Sequence, residues 1–142
     1  MTVNYEADFY GWTIEQADLI RAGHSSQLDF ENLLEEIESM GRSEKRALEF
    51  SLKVLLAHLL KWKYQPSYHG KSLELTIKEQ RRKVNRSLKD NPSLKSKLPE
   101  VISNAYEDAI LMAVKETGLD EITFPQLCPW EFETFINETF YP

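Results

Sequence analysis

The densest grouping of chemically capable side chains runs from Lys61 to Lys89. It opens Lys61-Trp62-Lys63-Tyr64-Gln65-Pro66-Ser67-Tyr68-His69-Gly70-Lys71 and continues through Lys78, Arg81, Arg82, Lys83, Arg86 and Lys89. Lys78, Arg82 and Arg86 recur every four residues, so a helix would carry them as one strip. Aromatic rings beside cations suit single-stranded nucleic acid: the rings stack on bases and the cations meet phosphates. The same residues suit an acidic protein surface, anchored by aromatics and arginine. The plainer alternative is internal, with Trp62 and Tyr64 in the core and the strip paired to acidic helices of the same chain. Internal pairing is the default, an acidic protein partner comes next and nucleic acid last. The candidate binding residues are Trp62, Tyr64, Gln65, Tyr68, His69, Lys78, Arg81, Arg82 and Arg86.

Other chemistry is sparse. His24, His58, His69 and Cys128 are the borderline-to-soft ligands, and no two stand at helical ligand spacing. There is no Cys-x-x-Cys, His-Glu-x-x-His or Glu-x-x-His, so neither a metal nor a cofactor is expected. A cross-helix set joining Glu35 or Glu36 to His58 is the one inter-helix Glu/His combination that could serve an enzyme or metal protein. Cys128 precedes Pro129 at an expected helix start, where the helix's positive end would lower a thiol pKa. No histidine stands near it in sequence, and a lone cysteine is usually a small buried hydrophobe. The five glycines are isolated, which removes the usual phosphate-cradling loops. No catalytic residue is assigned.

These side chains must be positioned by a chain of 142 residues, the size of one ordinary domain. Hydrophobic residues make up 42% and charged residues 28%, a globular balance that excludes a disordered chain. One cysteine cannot form an internal disulfide. The start lacks a basic head and apolar stretch, and the longest apolar run, Val54–Ala57, is too short for a bilayer. The expectation is a soluble cytoplasmic protein with no membrane contact.

Net charge is −6, unevenly spread. Residues 1–40 hold one basic and nine acidic groups, and residues 98–142 the same numbers. Between them, 41–70 hold six basic and two acidic groups, and 71–97 nine and three. A basic middle is thus bracketed by acidic ends.

Helical periodicity dominates. Thr13-Ile14-Glu15-Gln16 reads as a capping box opening a short helix that Gly23 stops. Asp29 caps a second helix whose apolar face is Phe30, Leu33, Leu34, Ile37 and Met40. Gly41 is expected to end or kink it, with Ser43 capping a third helix to Tyr64, so that the second and third form an antiparallel pair. A thinner pattern from Ser72 to about Lys89 makes the fourth. The fifth, about Pro99 to Thr117, is apolar around much of its girth and stops at Gly118. A last short helix spans about Trp130 to Glu138. No strand pattern or repeat appears.

Several stretches together resemble one family. They include Asp8-Phe9-Tyr10-Gly11-Trp12-Thr13, Leu28-Asp29-Phe30-Glu31-Asn32-Leu33, Glu35-Glu36-Ile37-Glu38-Ser39-Met40-Gly41-Arg42-Ser43 and His58-Leu59-Leu60-Lys61-Trp62-Lys63-Tyr64-Gln65-Pro66. Thr76-Ile77-Lys78-Glu79-Gln80-Arg81, Asn91-Pro92-Ser93-Leu94-Lys95, Glu116-Thr117-Gly118-Leu119, Phe124-Pro125 and Cys128-Pro129 follow in order. The chain resembles, from about Tyr5 to Pro142, the family filed as domain of unknown function twenty-nine. That resemblance implies an all-helical fold and a bacterial cytosolic setting, and no activity.

The expected architecture is all-α, a single domain over residues 1–142 with five to six helices. The expected role is a non-enzymatic interaction or regulatory module acting through the Trp62–Lys89 surface. The alternatives are a nucleic-acid-associated protein using the 61–89 segment, and an enzyme or metal protein with the inter-helix Glu/His site.

Overall fold

A computed structural model describes residues 2–142. Five α-helices follow one another: α1 (Phe9–Arg21), α2 (Phe30–Tyr64), α3 (Lys71–Asp90), α4 (Leu98–Thr117) and α5 (Phe132–Phe135). Short 3-10 segments lie in the connections, and no strand occurs among the described residues. The all-α class is as the periodicity requires. None of these helices is long and apolar enough to cross a membrane.

The boundaries depart from the expected ones at three places. Helix α1 begins a turn early. Asp8 caps it by accepting from the Gly11 N–H at 2.9 Å, so Thr13 lies inside the helix and its hydroxyl donates to the Tyr10 carbonyl. Gln16 is then free to accept from the Asp29 N–H at 2.9 Å instead of closing a capping box.

The second departure is larger. Gly41 neither ends nor kinks the second helix: α2 runs unbroken for 35 residues. A helical glycine costs only about 1 kcal/mol against alanine, which strong helix formers on either side outweigh. The expected antiparallel pair is therefore one helix. Glu35, Glu36 and His58 therefore belong to one helix and not to two neighbouring ones.

Third, the last helix is a single turn, not the nine residues from Trp130 to Glu138. The α pattern stops because the Asn137 N–H turns back to the Thr134 carbonyl at 3.3 Å, and Arg81 holds carbonyls of the turning segment. Its Nε donates to the Phe135 oxygen at 3.0 Å, Nη1 to the Glu138 oxygen at 3.3 Å and Nη2 to the Phe140 oxygen.

The chain divides after Ser43 into two compact units. The first is stitched by polar contacts around few buried groups. Trp12, 2% exposed, meets the Tyr5 ring edge-on at 4.8 Å between centroids and donates through Nε1 to Asp29 at 3.0 Å. Asp29 also caps α2 through the Asn32 N–H. Tyr5 donates to Glu36 at 2.7 Å, and that bond to a carboxylate pushes the phenol pKa up to about 12. Tyr10 and Phe9 remain exposed. Gly23 adopts φ 75°, the left-handed stop expected of it.

The second unit holds the main core. Leu48, Leu52, Leu55, Leu56, Leu59 and Leu60 of α2 are fully buried with Ile77 and Val84 of α3 and Val101, Ala105, Ala109 and Ala113 of α4. Alanines at every fourth position of α4 leave room for the leucine-rich face to approach. Phe124 and Phe135 close the core from the C-terminal segment. Tyr106 donates to the Pro125 carbonyl at 2.6 Å, fixing that segment against α4.

Candidate functional site

The 61–89 segment separates into side chains that build the fold and side chains that face outward. Trp62 is half-buried. It stacks on His69 with centroids 3.7 Å apart, lies 4.7 Å from the Tyr141 ring, and its carbonyl bonds His69 Nε2 at 2.6 Å. Tyr64 packs edge-on to Phe124. The Gln65 amide donates to the Thr117 carbonyl at 3.4 Å. Tyr68 alone of the three rings is largely exposed, at 68%.

Among the cations, Arg81 is 3% exposed. Besides its three carbonyl partners it lies 5.2 Å from the Tyr141 ring centroid, and burial lowers its pKa from the ordinary guanidinium value. Its place in the middle of a hydrophobic spacing (Leu73, Ile77, Arg81, Val84, Leu88) was the signal that it faces inward. Lys78, Arg82 and Arg86 are exposed and make no ion pair among the described residues. Lys83 pairs with Glu79 one turn away. A cleft beside this strip is lined by Lys78, Arg82, Asn85, Glu138 and Tyr141. The structure thus gathers Lys78, Arg82 and Arg86 and commits Trp62, Tyr64 and Arg81 to internal contacts.

A second cavity, about 440 Å³, lies where the C-terminal half of α2 meets the start of α3 and the end of α4. His58, Lys61, Ser72, Thr76 and Glu116 are among its walls. His58 is 9% exposed. Its Nδ1 sits 2.7 Å from the Val54 carbonyl, which assigns the proton to Nδ1. Desolvation lowers its pKa against the Val54 carbonyl bond, with the neighbouring Lys61 acting in the same direction as desolvation and Glu116 opposing. The Lys61–Glu116 pair, at 2.8 Å, is the least exposed ion pair among the described residues. Sequence spacing gave no hint of this group, because its members come from three helices.

Cys128 is half-buried, four residues before α5. Burial raises its thiol pKa while the Trp130 carbonyl bond lowers it, so the net shift is opposite to that of an activated helix-start thiolate. Among the described residues, no three His, Cys, Asp or Glu side chains gather where a metal could sit.

The third feature lies in the first unit. Phe30, Leu34, Ile37 and Met40, the apolar face of the first part of α2, are 63%, 58%, 60% and 61% exposed. Glu31, Glu35 and Glu38 stand exposed beside them. A Cβ added at Gly41, the next position along that side, would meet nothing within 4 Å. Periodicity found this face, but not that it would lie open.

No curated protein and no solved structure matches the chain. The model of one family matches residues 4–141, and on that span the chain belongs to the family described as domain of unknown function DUF29.

Proposed function

We propose that this protein is a non-enzymatic interaction module, and that it grips its partner with the row Phe30, Leu34, Ile37 and Met40. The observation that carries the reading is the exposure of four large apolar side chains at helical spacing on one face of α2. Rows of this kind receive an amphipathic helix laid along them, and exposed apolar patches of this sort mark interaction sites in water-soluble chains.

Charge selects the partner. Residues 1–43 carry nine acidic and two basic groups. A second copy docking on the same face would bring two strongly acidic surfaces together, which is costly. A helix with an apolar stripe flanked by lysine or arginine would meet Glu31, Glu35 and Glu38 favourably. Gly41, with open space where a side chain would stand, lets such a helix approach closely. The occupant is therefore a basic amphipathic helix of another protein.

A second reading attaches to the exposed, unpaired cations Lys78, Arg82 and Arg86, which suit phosphates or an acidic protein surface. Nucleic acid loses weight there because Trp62 and Tyr64 spend their faces on His69, Tyr141 and Phe124 and only Tyr68 is free to stack. The comparison is native mass spectrometry with cross-linking on protein purified gently from the cells that make it, as wild type, Ile37→Glu and Arg82→Glu/Arg86→Glu. A stoichiometric polypeptide cross-linked through a basic helix, lost with Ile37→Glu and kept by the double variant, is the expected result. Retention by Ile37→Glu and loss by the double variant transfers the function to the 61–89 strip. A homodimer abolished by Ile37→Glu makes the occupant a second copy.

A further inference from the structure

We infer that the first unit carries a binding site for a small neutral polyol, a molecule whose hydrogen-bonding groups are hydroxyls, such as a monosaccharide. The site is separate from the proposed grip on a partner: its α2 residue is Asn32, two positions on from Phe30 and so on the opposite side of that helix from it.

A cavity of about 390 Å³ lies among the N-terminal stretch, α1 and the start of α2. Small-molecule sites span roughly 300–1,000 Å³. Four carboxamides line this one: Asn4, Gln16, Gln27 and Asn32. Three of them are tied at one end only. The Asn4 side-chain oxygen accepts from the Glu6 and Ala7 N–H groups at 2.8 and 2.9 Å, and its NH2 has no partner among the described residues. The Gln16 oxygen accepts from the Asp29 N–H at 2.9 Å, and its NH2 likewise has none. The Asn32 NH2 donates to Asp29 at 2.8 Å, which leaves the Asn32 oxygen as an acceptor. Gln27 is exposed, and its side chain has no hydrogen-bond partner among the described residues.

Gln16 carries the most weight. It is 5% exposed and lines the cavity, and its NH2 is not sealed inside protein, so the two N–H groups open into that space. Leaving such donors unmet in a buried place is costly, and an occupant of the cavity that accepts from them removes the cost. Because the amides are held at their other ends, their free ends are fixed before a ligand arrives, which lowers the ordering cost of binding.

Charge and ring chemistry narrow the ligand. No lysine, arginine or histidine lines the cavity, so an anion meets no counter-charge. The charged walls are Glu6, which is exposed, and Asp29. The Asp29 carboxylate is taken up by Trp12 Nε1 at 3.0 Å and by the backbone and side-chain amides of Asn32, so a cation meets no buried, uncommitted carboxylate. A flat base needs an open ring face, and Tyr5, the one ring at the cavity, already packs against Phe9 and Trp12. A hydroxyl both donates and accepts. It takes N–H bonds from Asn4 and Gln16 and gives its own hydrogen to the Asn32 oxygen, and neighbouring hydroxyls on one carbon frame repeat that combination.

The test is nitrogen and proton NMR of the labelled full chain, which resolves the side-chain NH2 groups directly. The titrants are glucose, galactose, mannose, ribose and sorbitol, with spermidine, acetate and acetamide as cationic, anionic and amide controls. The expected result is saturable movement of the Asn4 and Gln16 NH2 signals, at millimolar ligand, for at least one sugar or sorbitol and for none of the controls. Gln27→Ala removes an exposed side chain without hydrogen-bond partners, so the fold should stand. It should weaken that ligand about fivefold, the effect of one lost neutral hydrogen bond. No saturable response at these amides to any sugar or to sorbitol overturns the inference. Spermidine, acetate or acetamide binding there as tightly as the sugar overturns it as well, by making the site one for a cation, an anion or an amide. Unchanged affinity in Gln27→Ala places the ligand elsewhere and has the same consequence.

Discussion

Helix α2 presents two apolar faces of the same length scale and opposite fates. From Leu48 to Leu60 its leucines are fully buried, whereas Phe30, Leu34, Ile37 and Met40 lie about 60% exposed. Composition does not separate them, since both halves carry large aliphatics at spacings of three and four. What separates them is what the rest of the chain supplies. The second half is met by α3, α4 and the C-terminal phenylalanines. The first half belongs to a unit whose other long helix, α1, contributes two buried side chains, Trp12 and Gln16. A face that is apolar without being covered is a surface held in reserve.

That contrast can be broken first by truncation. Leu56→Ala should cost about 3 kcal/mol, the transfer loss plus a residual cavity, read by urea denaturation at constant slope. Ile37→Ala should change the stability of the isolated protein by no more than about 0.5 kcal/mol, as an exposed substitution does. A loss at Ile37 comparable to that at Leu56 would show that the face is already covered in the free protein, and the interaction reading would fall with it.

A smaller effect sharpens the same distinction on α3, between Arg81 and its neighbour Arg82. Arg81 fastens the carbonyls of residues 135, 138 and 140, so Arg81→Leu should cost about 2 kcal/mol, within the range for hydrogen bonds to a charged group. Arg81→Lys should recover little, since an ammonium cannot span three divergent carbonyls. Arg82→Leu, on the exposed strip, should leave the melting midpoint nearly unchanged. Equal losses at both positions would mean that the strip is structural and would remove its claim on a partner.

Next comes the buried histidine. His58 is held below its ordinary value of 6.5 by desolvation and by Lys61, against the Val54 carbonyl bond and Glu116. As pH falls below about 6.5 the unfolded chain takes up a proton that the folded chain refuses, so stability declines with acidity and is fully present above that value. His58→Gln should flatten the decline just below pH 6.5 while the carboxylate losses at lower pH remain. An unchanged slope in urea titrations across that window would place the imidazole in solvent.

Much of this organisation was legible in the sequence. The caps Asp29 and Gly118, the ends of α2 and α4, and the buried stripe from Leu48 follow from local chemistry, and local chemistry is what a sequence states directly. Gly41 misled because a glycine removes a side chain without supplying a turn, and the helix formers around it decide the outcome. Arg81 misled in the opposite sense. Its charge invited a place on the strip at Lys78 and Arg82, while its spacing from Ile77 and Val84 set it on the inward face. The cavity at His58 was invisible because Lys61, Ser72 and Glu116 approach from three helices and share no spacing. Exposure of the Phe30–Met40 face was equally unreadable, since periodicity gives the direction of an apolar side but not its neighbour.

The smallest expected effect tests that face most directly. Gly41 is helical and exposed, with nothing within 4 Å of an added Cβ. In the free protein Gly41→Ala should therefore stabilise, by roughly 0.5 kcal/mol, because alanine confines the unfolded backbone and meets no clash. A bare helix surface would gain equally from the change whether or not a partner exists. A surface built for close approach should not, because the methyl group stands where the partner's backbone would lie. Gly41→Ala should thus raise the melting midpoint of the isolated chain and, with a bulkier Gly41→Leu alongside, progressively loosen the complex captured from cells. Stabilisation without any loss of partner would detach the glycine from the interface and leave Phe30, Leu34 and Ile37 as its centre.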